Sequence, residues 1–441
     1  MYIMAKSPGN WLIRHASVKS ITVTVLVLTL FVNEYLVYWV QSSRWPVFPE
    51  VDRQKEMVVL LVSDPQLQGI RDEPGFPVGM VARWDVDRYL SKTFQLAYSY
   101  SQPDIVVFLG DLMDEGSKAS PDEYQSYFTR FNSIFHSAKK SKVNTILWDT
   151  VTFSSDCRNT YFFQVFLLFI FIFWGAGEFS QSLPPKLYMV PTFCQCRCGW
   201  PPWIYLLSII LGYFYRWDKK YTCQDFKTFK KVSRFENHFG NISGVVSTRF
   251  VDILKLDVSL HTDVPRGTQE KLKEYKSKMN SPFRVIISHE TMLPKLKVYI
   301  YPIIKEIKPQ LLFSGHWHKS MHFVCDSCLS DNADTSHWPV HRRELSDIND
   351  YMYLDLTNSQ GIQELMIPTC SYRMGVTDIG YGVAIINKEK TVRYTVLWLP
   401  RRYDVLYAYI FVVIFLLIFN IFGKLCFPKL LYNYRPYYKY R

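Results

Sequence analysis

Short apolar runs alternate with amphipathic stretches between two long apolar segments. Residues 57–63 and 105–109 are continuous apolar runs that predict buried strands, and each runs directly into an acidic residue. Residues 284–287 and 311–313 predict two more strands, each followed by a histidine. This alternation favours an α/β fold over an all-β fold.

Helix and strand signals continue around these runs. Ser120-Pro121-Asp122-Glu123 is a helix start, and Tyr124, Phe128, Phe131 and Phe135 follow at helical spacing. Residues 143–147 predict a further strand. Residues 380–398 predict two strands, which we expect to close a second sheet.

The two long apolar segments predict membrane spans. Residues 21–40 can cross a hydrocarbon core, although Asn33 and Glu34 interrupt them. A cleavable signal peptide is the rival interpretation, but the run is long and no small-x-small cleavage pattern follows. Residues 405–422 predict the second span, and the region between the spans, residues 55–400, is the expected globular domain.

Charge gives the spans an expected orientation. The formal net charge is +12, and much of the excess lies in two tails, residues 1–20 and 423–441. Both tails are expected in the cytosol, which leaves the central domain lumenal, although Arg401 and Arg402 lie at the opposite end of the second span. No arginine-rich helix supports a nucleic-acid partner.

Candidate metal ligands stand at the ends of four predicted strands. They are Asp64, Asp111, His289, His316 and His318, with glycine before Asp111 and His316. Strand ends at one edge of a sheet gather ligand-binding loops. Carboxylates with imidazoles suit Mn, Fe or Zn. A lone Asp or His is more often a turn or core residue, but the ordered set and Gly-His-x-His are far more specific. Asp114 and Glu115 are either hydrogen-bond partners of the metal ligands or solvated acids. For Glu115 we expect a solvated acid.

The ordered motifs resemble those of the calcineurin-like metallophosphoesterase superfamily. The resemblance implies a two-sheet β-sandwich flanked by helices and two divalent ions, Mn or else Fe or Zn. It implies that Asp64, Asp111 and His318 hold one ion, and that Asp111 as a bridge, His289 and His316 hold the other. Gln66 stands where many members have His and is a weak ligand. The only nucleophile implied is a metal-bound hydroxide.

Two flanking spans and Gly-Asp-Leu-Met-Asp-Glu-Gly at 110–116 resemble the branch containing metallophosphoesterase 1 and cell-division-control phosphoesterases. That resemblance implies a phosphodiesterase that removes ethanolamine phosphate from GPI anchors during transport from the endoplasmic reticulum to the Golgi apparatus. The expected partners are the bilayer and GPI-anchored proteins or GPI glycolipid. The expected location is the membrane of the endoplasmic reticulum, its exit sites or the cis-Golgi.

One region departs from the family pattern. After the strand at 143–147 the family has Gly-Asn-His, whereas this chain has Trp148-Asp149-Thr150 and an atypical hydrophobic insert at about 148–219. Asp149 is one substitute oxygen ligand; Asn237-His238 is another pair, but its surroundings predict a helix. A variant transcript or an error in the gene model is the simplest account of the insert, and a membrane hairpin or a hydrophobic loop are the other interpretations. Two alternatives remain: a catalytically impaired membrane binding protein, and a transporter built around four apolar runs.

The cysteines and one sequon agree with a lumenal domain. Nine cysteines fit a disulfide-permitting compartment. Cys325 and Cys328 form a zinc half-site, a redox pair or a loop staple, and the staple is preferred because no second CxxC lies at ribbon spacing. Asn241-Ile242-Ser243 is a glycosylation sequon.

We predict that the full chain expressed in animal cells carries a glycan on Asn241. Endoglycosidase H treatment should shift its mass, and Asn241→Gln should abolish that shift, because the amide is the acceptor. Ser243→Thr, which preserves the sequon, should keep the shift. A protein of the same mass with and without the enzyme would contradict lumenal placement of this segment.

Overall fold

The computed structural model describes residues 18–136, 144–148, 229–257, 267–294, 297–330, 340–345, 350–358 and 360–432. Residues 149–219 of the insert, including Asp149, lie outside these ranges, as do 1–17 and 433–441 of the tails. The strands are β1 Glu56–Val62, β2 Ile105–Leu109, β3 Asn144–Trp148, β4 Gly244–Ser247, β5 Asp252–Lys255, β6 Arg284–Ile287, β7 Leu311–Ser314, β8 Met321–Cys325, β9 His341–Glu344, β10 Met352–Asp355, β11 Ile362–Met366, β12 Gly380–Asn387 and β13 Thr391–Trp398.

The helices flank the strands and include both long apolar segments. They are α1 Val18–Phe31, α2 Val37–Ser42, α3 Val78–Ser101, α4 Pro121–Ile134, α5 Phe229–Phe239, α6 Gly267–Ser277, α7 Lys297–Ile307 and α8 Arg402–Tyr432. A π-helical turn, Val32–Leu36, joins α1 to α2 without a break.

Two mixed sheets form the centre of the domain. The first has the order β10-β13-β12-β1-β2-β3, in which β1, β2 and β3 are parallel. The second has the order β4-β5-β6-β7-β11-β8-β9, in which β5, β6, β7 and β11 are parallel. The predicted sandwich of two sheets flanked by helices is confirmed.

The expectation for residues 380–398 is half right. They form two strands, but both join the first sheet, where β12 pairs antiparallel with β1. Period-2 and apolar patterns identify a strand without identifying its neighbour, because pairing depends on the connections.

The central strands of each sheet are buried on both faces. Alternate residues of β1 and β2, such as Val59 and Val107, pack against Val285 and Phe313 of the second sheet. The opposite face of the first sheet packs on α3 and α4, and that of the second sheet packs on α6 and α7. Burial on both faces explains why these strands read as continuous apolar runs.

Helix α4 begins as its sequence predicts. The Ser120 hydroxyl accepts from the Glu123 N–H, and the Glu123 carboxylate accepts from the Ser120 N–H, which forms a capping box. Tyr124, Phe131 and Phe135 of the predicted apolar face are buried.

Two helical segments are long and apolar enough to cross a membrane, Lys19–Ser42 and Arg402–Phe422. In each, 11% of the most apolar window is buried, so neither is an ordinary core helix. They lie side by side, since the Asn420 amide donates to Thr22 Oγ1 at 3.0 Å and the Tyr409 hydroxyl donates to Glu34 Oε1 at 3.0 Å.

A buried ionic cluster joins both apolar helices to α3. The Arg402 guanidinium donates to Glu34 at 3.0 Å and also binds Asp85 of α3. Arg88 of α3 lies 2.6 Å from the other oxygen of Glu34. The acidic interruption of the first span and the arginine at the end of the second are therefore partners of each other.

We predict that Arg402→Ala lowers the thermal unfolding midpoint of the full chain in detergent. The free energy of unfolding should fall by about 3–5 kcal/mol, because Asp85 and Glu34 lose their shared buried cation. Arg401→Ala is the matched control, since Arg401 and Asp378 are both 56% exposed and their pair is worth about 0–1 kcal/mol. Equal midpoints for the two variants would contradict the role of the cluster.

Candidate metal centre

The predicted ligands come from the carboxyl ends of parallel strands in both sheets. Asp64 follows β1 and Asp111 follows β2, while His289 follows β6 and His316 and His318 follow β7. The two sheets are stacked, so these loops meet at one edge of the sandwich.

Three of these side chains form one compact buried group. Ligand atoms of Asp64, Asp111 and His289 lie within 4.8 Å of one another, and all three residues are buried. The two histidines of the Gly-His-x-His motif border the group. His289 Nε2 lies 3.0 Å from His316 Nδ1, and His318 Nε2 lies 3.7 Å from Asp64 Oδ1.

Two carboxylates control the charge of His289. Burial alone would lower the pKa of this imidazole, but the adjacent Asp111 and Asp64 carboxylates outweigh it and raise the pKa above its ordinary value. Its Nδ1 lies 3.1 Å from the Leu109 carbonyl oxygen, which fixes the ring orientation. Nε2 faces Asp111 Oδ2 at 3.6 Å.

The donor set fits a divalent cation. Asp64 Oδ1 is fully buried and accepts no hydrogen bond from the part of the chain that the structure describes, which is costly for a carboxylate oxygen unless a cation lies beside it. Two hard carboxylates and imidazole nitrogens suit Mn, Fe or Zn. Asp64, Asp111 and His289 would hold such an ion, with His316 and His318 at its border.

The backbone of the site is strained. Eight described non-glycine residues have positive φ, and five of them belong to these loops: Asp64 (49°), Gln66 (39°), Asp111 (45°), His316 (73°) and His318 (59°). The left-handed region costs about 1 kcal/mol or more for residues with a Cβ. Such strain concentrates where side-chain direction matters more than local stability, as it does for ligands.

Gly315 allows the loops of the two sheets to meet. A Cβ at this position would lie 2.1 Å from Ser63 Oγ and 3.0 Å from Asp64 Oδ2. The next residue uses this proximity, since the His316 N–H donates to Asp64 Oδ2 at 3.2 Å. Glycine is therefore needed for close approach rather than for a turn.

The sequence reasoning missed Glu364, which braces the histidine loops. Its carboxylate is fully buried and accepts from the Met292 N–H at 3.0 Å, the Leu293 N–H at 2.7 Å and the Ser314 hydroxyl at 2.6 Å. It joins the loop after His289 to the end of β7. A lone acidic residue within the apolar pattern of β11 was the available signal.

The expectation of a solvated Glu115 is wrong. Glu115 is 1% exposed, and its carboxylate accepts the N–H groups of Ile70, Arg71 and Asp72 at 2.6–2.9 Å. It holds the loop that leaves the site after Gln66. Burial, together with the nearby Glu115 and Glu73, raises the pKa of Asp114 to about 7.

The remaining predicted residues have clear positions. Gln66 is buried and its Nε2 donates to Asp111 Oδ2 at 3.2 Å, so here it contacts a ligand as a hydrogen-bond donor. Asn237 and His238 lie on α5, as predicted, and His238 Nε2 lies 3.1 Å from Gln125 Oε1. Asn241 is exposed, and its glycosylation stays a prediction.

The Cys325-Asp326-Ser327-Cys328 motif forms a disulfide between its two cysteines, which confirms the preferred loop staple. Cys325 ends β8, so the bond closes the turn that follows this strand.

Sequence comparison finds relatives in several organisms, although no family profile matches the chain. Cell division control protein 1 of Saccharomyces cerevisiae is 26% identical over 350 residues, 76% of this chain and 56% of that protein. The metallophosphoesterase 1 homolog of Drosophila melanogaster is 30% identical over 120 residues, 26% of this chain and 30% of that protein. Metallophosphoesterase 1 of Xenopus laevis is 31% identical over 116 residues, 25% of this chain and 27% of that protein. The chain thus spans little more than half of the length of the yeast relative and 27–30% of the length of the other two.

Structure comparison finds similarity to a metallophosphoesterase from Sphaerobacter thermophilus, with a TM-score of 0.31 and 11% identity over 77% of this chain and 87% of that chain. A dimetal phosphatase from Danio rerio has TM-score 0.34 and 10% identity over 80% of this chain and 99% of that chain. These scores are too low to inform the site. Stacked mixed sheets with an Asp-Asp-His group at their shared edge agree with the metal-dependent phosphoesterase class to which these relatives belong. The sequence similarity is to the calcineurin-like metallophosphoesterases, in the branch of metallophosphoesterase 1 and cell division control protein 1.

We predict that Gly315→Ala abolishes high-affinity metal binding, because the added methyl group would separate Ser63 and Asp64 from the histidine loop. Metal content after manganese loading and desalting, measured by mass spectrometry, should fall at least about tenfold. Gly244→Ala is the control, since a Cβ there meets nothing within 4 Å. Equal metal content in the two variants would show that the close approach is dispensable.

Proposed function

We propose that this protein is a membrane-anchored, metal-dependent phosphodiesterase. The buried group of Asp64, Asp111 and His289, in which Asp64 Oδ1 accepts no hydrogen bond from the described residues, is the observation that carries the proposal. The sequence relatives named metallophosphoesterase support the same reaction class. Two helices able to cross a bilayer support the anchoring.

Some residues of the site would bind the metal ions, and others orient the side chains that bind them. Asp64, Asp111, His289, His316 and His318 would hold two divalent ions, manganese in the first instance. Bound divalent cations neutralise the phosphoryl oxygens and lower the pKa of water, which makes a nucleophile available at neutral pH. The Leu109 carbonyl oxygen orients His289, and Ser63 donates to Asp64 Oδ2, so the ligand side chains are preorganised.

The proposed substrate is a phosphodiester carried on a membrane lipid, in particular the ethanolamine phosphate of a GPI anchor. The metallophosphoesterase 1 relatives and the two apolar helices support this choice. This substrate implies the proposed location, which is the lumen of the endoplasmic reticulum or the cis-Golgi, along the export route of GPI-anchored proteins.

A catalytically impaired binding protein is the second candidate. Asp149-Thr150 follows Trp148, the last residue of β3, in the sequence where the family has an asparagine ligand, and Gln66 donates to Asp111. Such a protein would keep the fold and bind one metal ion without turnover.

We predict that the purified full chain hydrolyses bis-p-nitrophenyl phosphate in the presence of manganese. His316→Ala should lower turnover and bound manganese together, with a loss of turnover of at least about a hundredfold, since removing a ligand exceeds the effect of an outer partner. His341→Ala is the control, because His341 is exposed on β9. Bound manganese without hydrolysis in the unchanged chain would favour the impaired form over the enzyme.

A further inference from the structure

Four exposed apolar side chains lie together where α3 begins. Ile70 is 49% exposed, Phe76 84%, Met80 51% and Trp84 61%. Met80 and Trp84 are one turn apart on one face of α3, and Arg83 of the same turn contacts the Gly69 carbonyl oxygen beside Ile70. Grouped exposure of large apolar side chains marks an interaction surface. We call these four residues the α3 patch.

Helix α3 runs alongside the first apolar helix, with contacts in register. The Tyr100 ring lies 5.2 Å from the Trp45 ring, Lys92 Nζ lies 3.8 Å from the Tyr38 ring, and Arg88 lies 2.6 Å from Glu34. Tyr100 and Arg88 are twelve residues apart, and their partners Trp45 and Glu34 are eleven residues apart. The two segments of the chain therefore run side by side in the same direction.

Continuing this register sets the depth of the patch. Both helices rise about 1.5 Å per residue, so Trp84 lies near the level of Leu30 and Met80 near that of Leu26. Leu30 is 54% and Leu26 41% exposed, as expected of lipid-facing residues of a span. The patch therefore lies level with the apolar part of the first span.

The length of the bilayer gives the same depth. A hydrocarbon core of about 30 Å takes about 20 helical residues, which from Lys19 reaches to Trp39 and from Lys424 back to Asp404. Glu34 is 15 residues from Lys19, or about 22 Å, so it lies below the outer boundary of the core. Arg88 pairs with Glu34, and Trp84 lies one turn deeper.

We propose that the α3 patch docks in the apolar region of the same bilayer that the two apolar helices cross. Its chemistry suits this role, because large apolar side chains are stable in hydrocarbon. The Arg88 guanidinium lies 5.5 Å from the Trp84 ring, one turn nearer the outer boundary, so its charged head can extend toward the headgroups.

Docking would place the metal centre at the membrane surface. Ile70 is only four residues from Gln66, no more than about 14 Å of extended chain. The loop between them is fixed by Glu115, which accepts the N–H groups of Ile70, Arg71 and Asp72. Membrane contact at Ile70 would thus hold the site beside lipid-borne phosphodiesters. This last step rests on the proposed function, whereas the docking itself does not.

Site-specific photo-cross-linking to lipid tests the docking. Benzoyl-phenylalanine is placed at Trp84 or Phe76 in the full chain, which is reconstituted in phosphatidylcholine nanodiscs containing an alkyne-tagged phosphatidylcholine. Position Phe411 in the second span, 71% exposed, is the positive control. Tyr353, 76% exposed, is the negative control, because it pairs with Arg393, about 16 Å along β13 from Trp398 and the start of the second span.

Tagged lipid should be transferred at positions 84 and 76 at least about fivefold above position 353, since only side chains that face the bilayer contact lipid. Transfer at Phe411 without transfer at 84 and 76, or cross-links there to protein instead of lipid, would overturn the docking alone. An absence of transfer at Phe411 would overturn both the docking and the membrane anchoring. A thermal midpoint equal to that of the unchanged chain confirms that each variant is folded, and none of these readouts requires catalysis.

Discussion

The contact of Gly315 with Ser63 and Asp64 is the constraint on which the site depends. Asp64 belongs to the first sheet and Gly315 to the second, so their contact sets the distance between the two ligand loops. The apolar layer between the sheets brings the two strand edges near each other. The close approach of Gly315 to the Ser63 and Asp64 side chains, with the His316 N–H on Asp64 Oδ2, fixes the spacing of the two ligand loops.

Two buried carboxylates stabilise the strained loops around this contact. Glu364 binds the loop after His289 to β7, and Glu115 binds the loop after Gln66 to the segment after β2. Five left-handed residues in the site cost about 1–3 kcal/mol each. Hydrogen bonds from N–H groups to a charged oxygen each return about 1.5–3 kcal/mol. These hydrogen bonds therefore offset at least part of the cost of the strained backbone.

The sequence predicted the elements that are determined locally. Strands buried on both faces appear as continuous apolar runs, and their ends are marked by the ligands, so β1, β2, β6 and β7 and the order of the motifs were predictable. The capping box of α4 was predictable for the same reason, since all of its atoms lie within four residues. The Cys325–Cys328 disulfide is equally local.

What the sequence did not predict depends on distant partners. The local sequence around Glu115 is typical of a solvated acid. In the structure its carboxylate accepts N–H groups of a loop more than 40 residues earlier in the chain. Glu364 binds residues 50 to 72 positions away. Strands β12 and β13 were recognised as strands, but their place beside β1 follows from a connection across the whole domain. The role of Gln66 was also not predictable from the sequence. Its amide oxygen could bind a metal ion, but in the structure its amide nitrogen donates to Asp111.

The apolar helices and the metal centre share one connecting segment, residues 369–373. Thr369 Oγ1 donates to the Asp64 carbonyl oxygen at 2.8 Å, three residues before Tyr372, whose hydroxyl donates to Asp85 at 2.9 Å. Asp85 in turn binds Arg402, the first residue of the second apolar helix, which binds Glu34 in the first. Glu34 would be costly in a lone span, because lipid offers it no counter-charge. The domain supplies that counter-charge through Arg88, so helices and domain stabilise each other. Movement of the helices relative to the domain would separate buried charges, and for this reason we regard the apolar helices as part of the folded unit that positions Asp64.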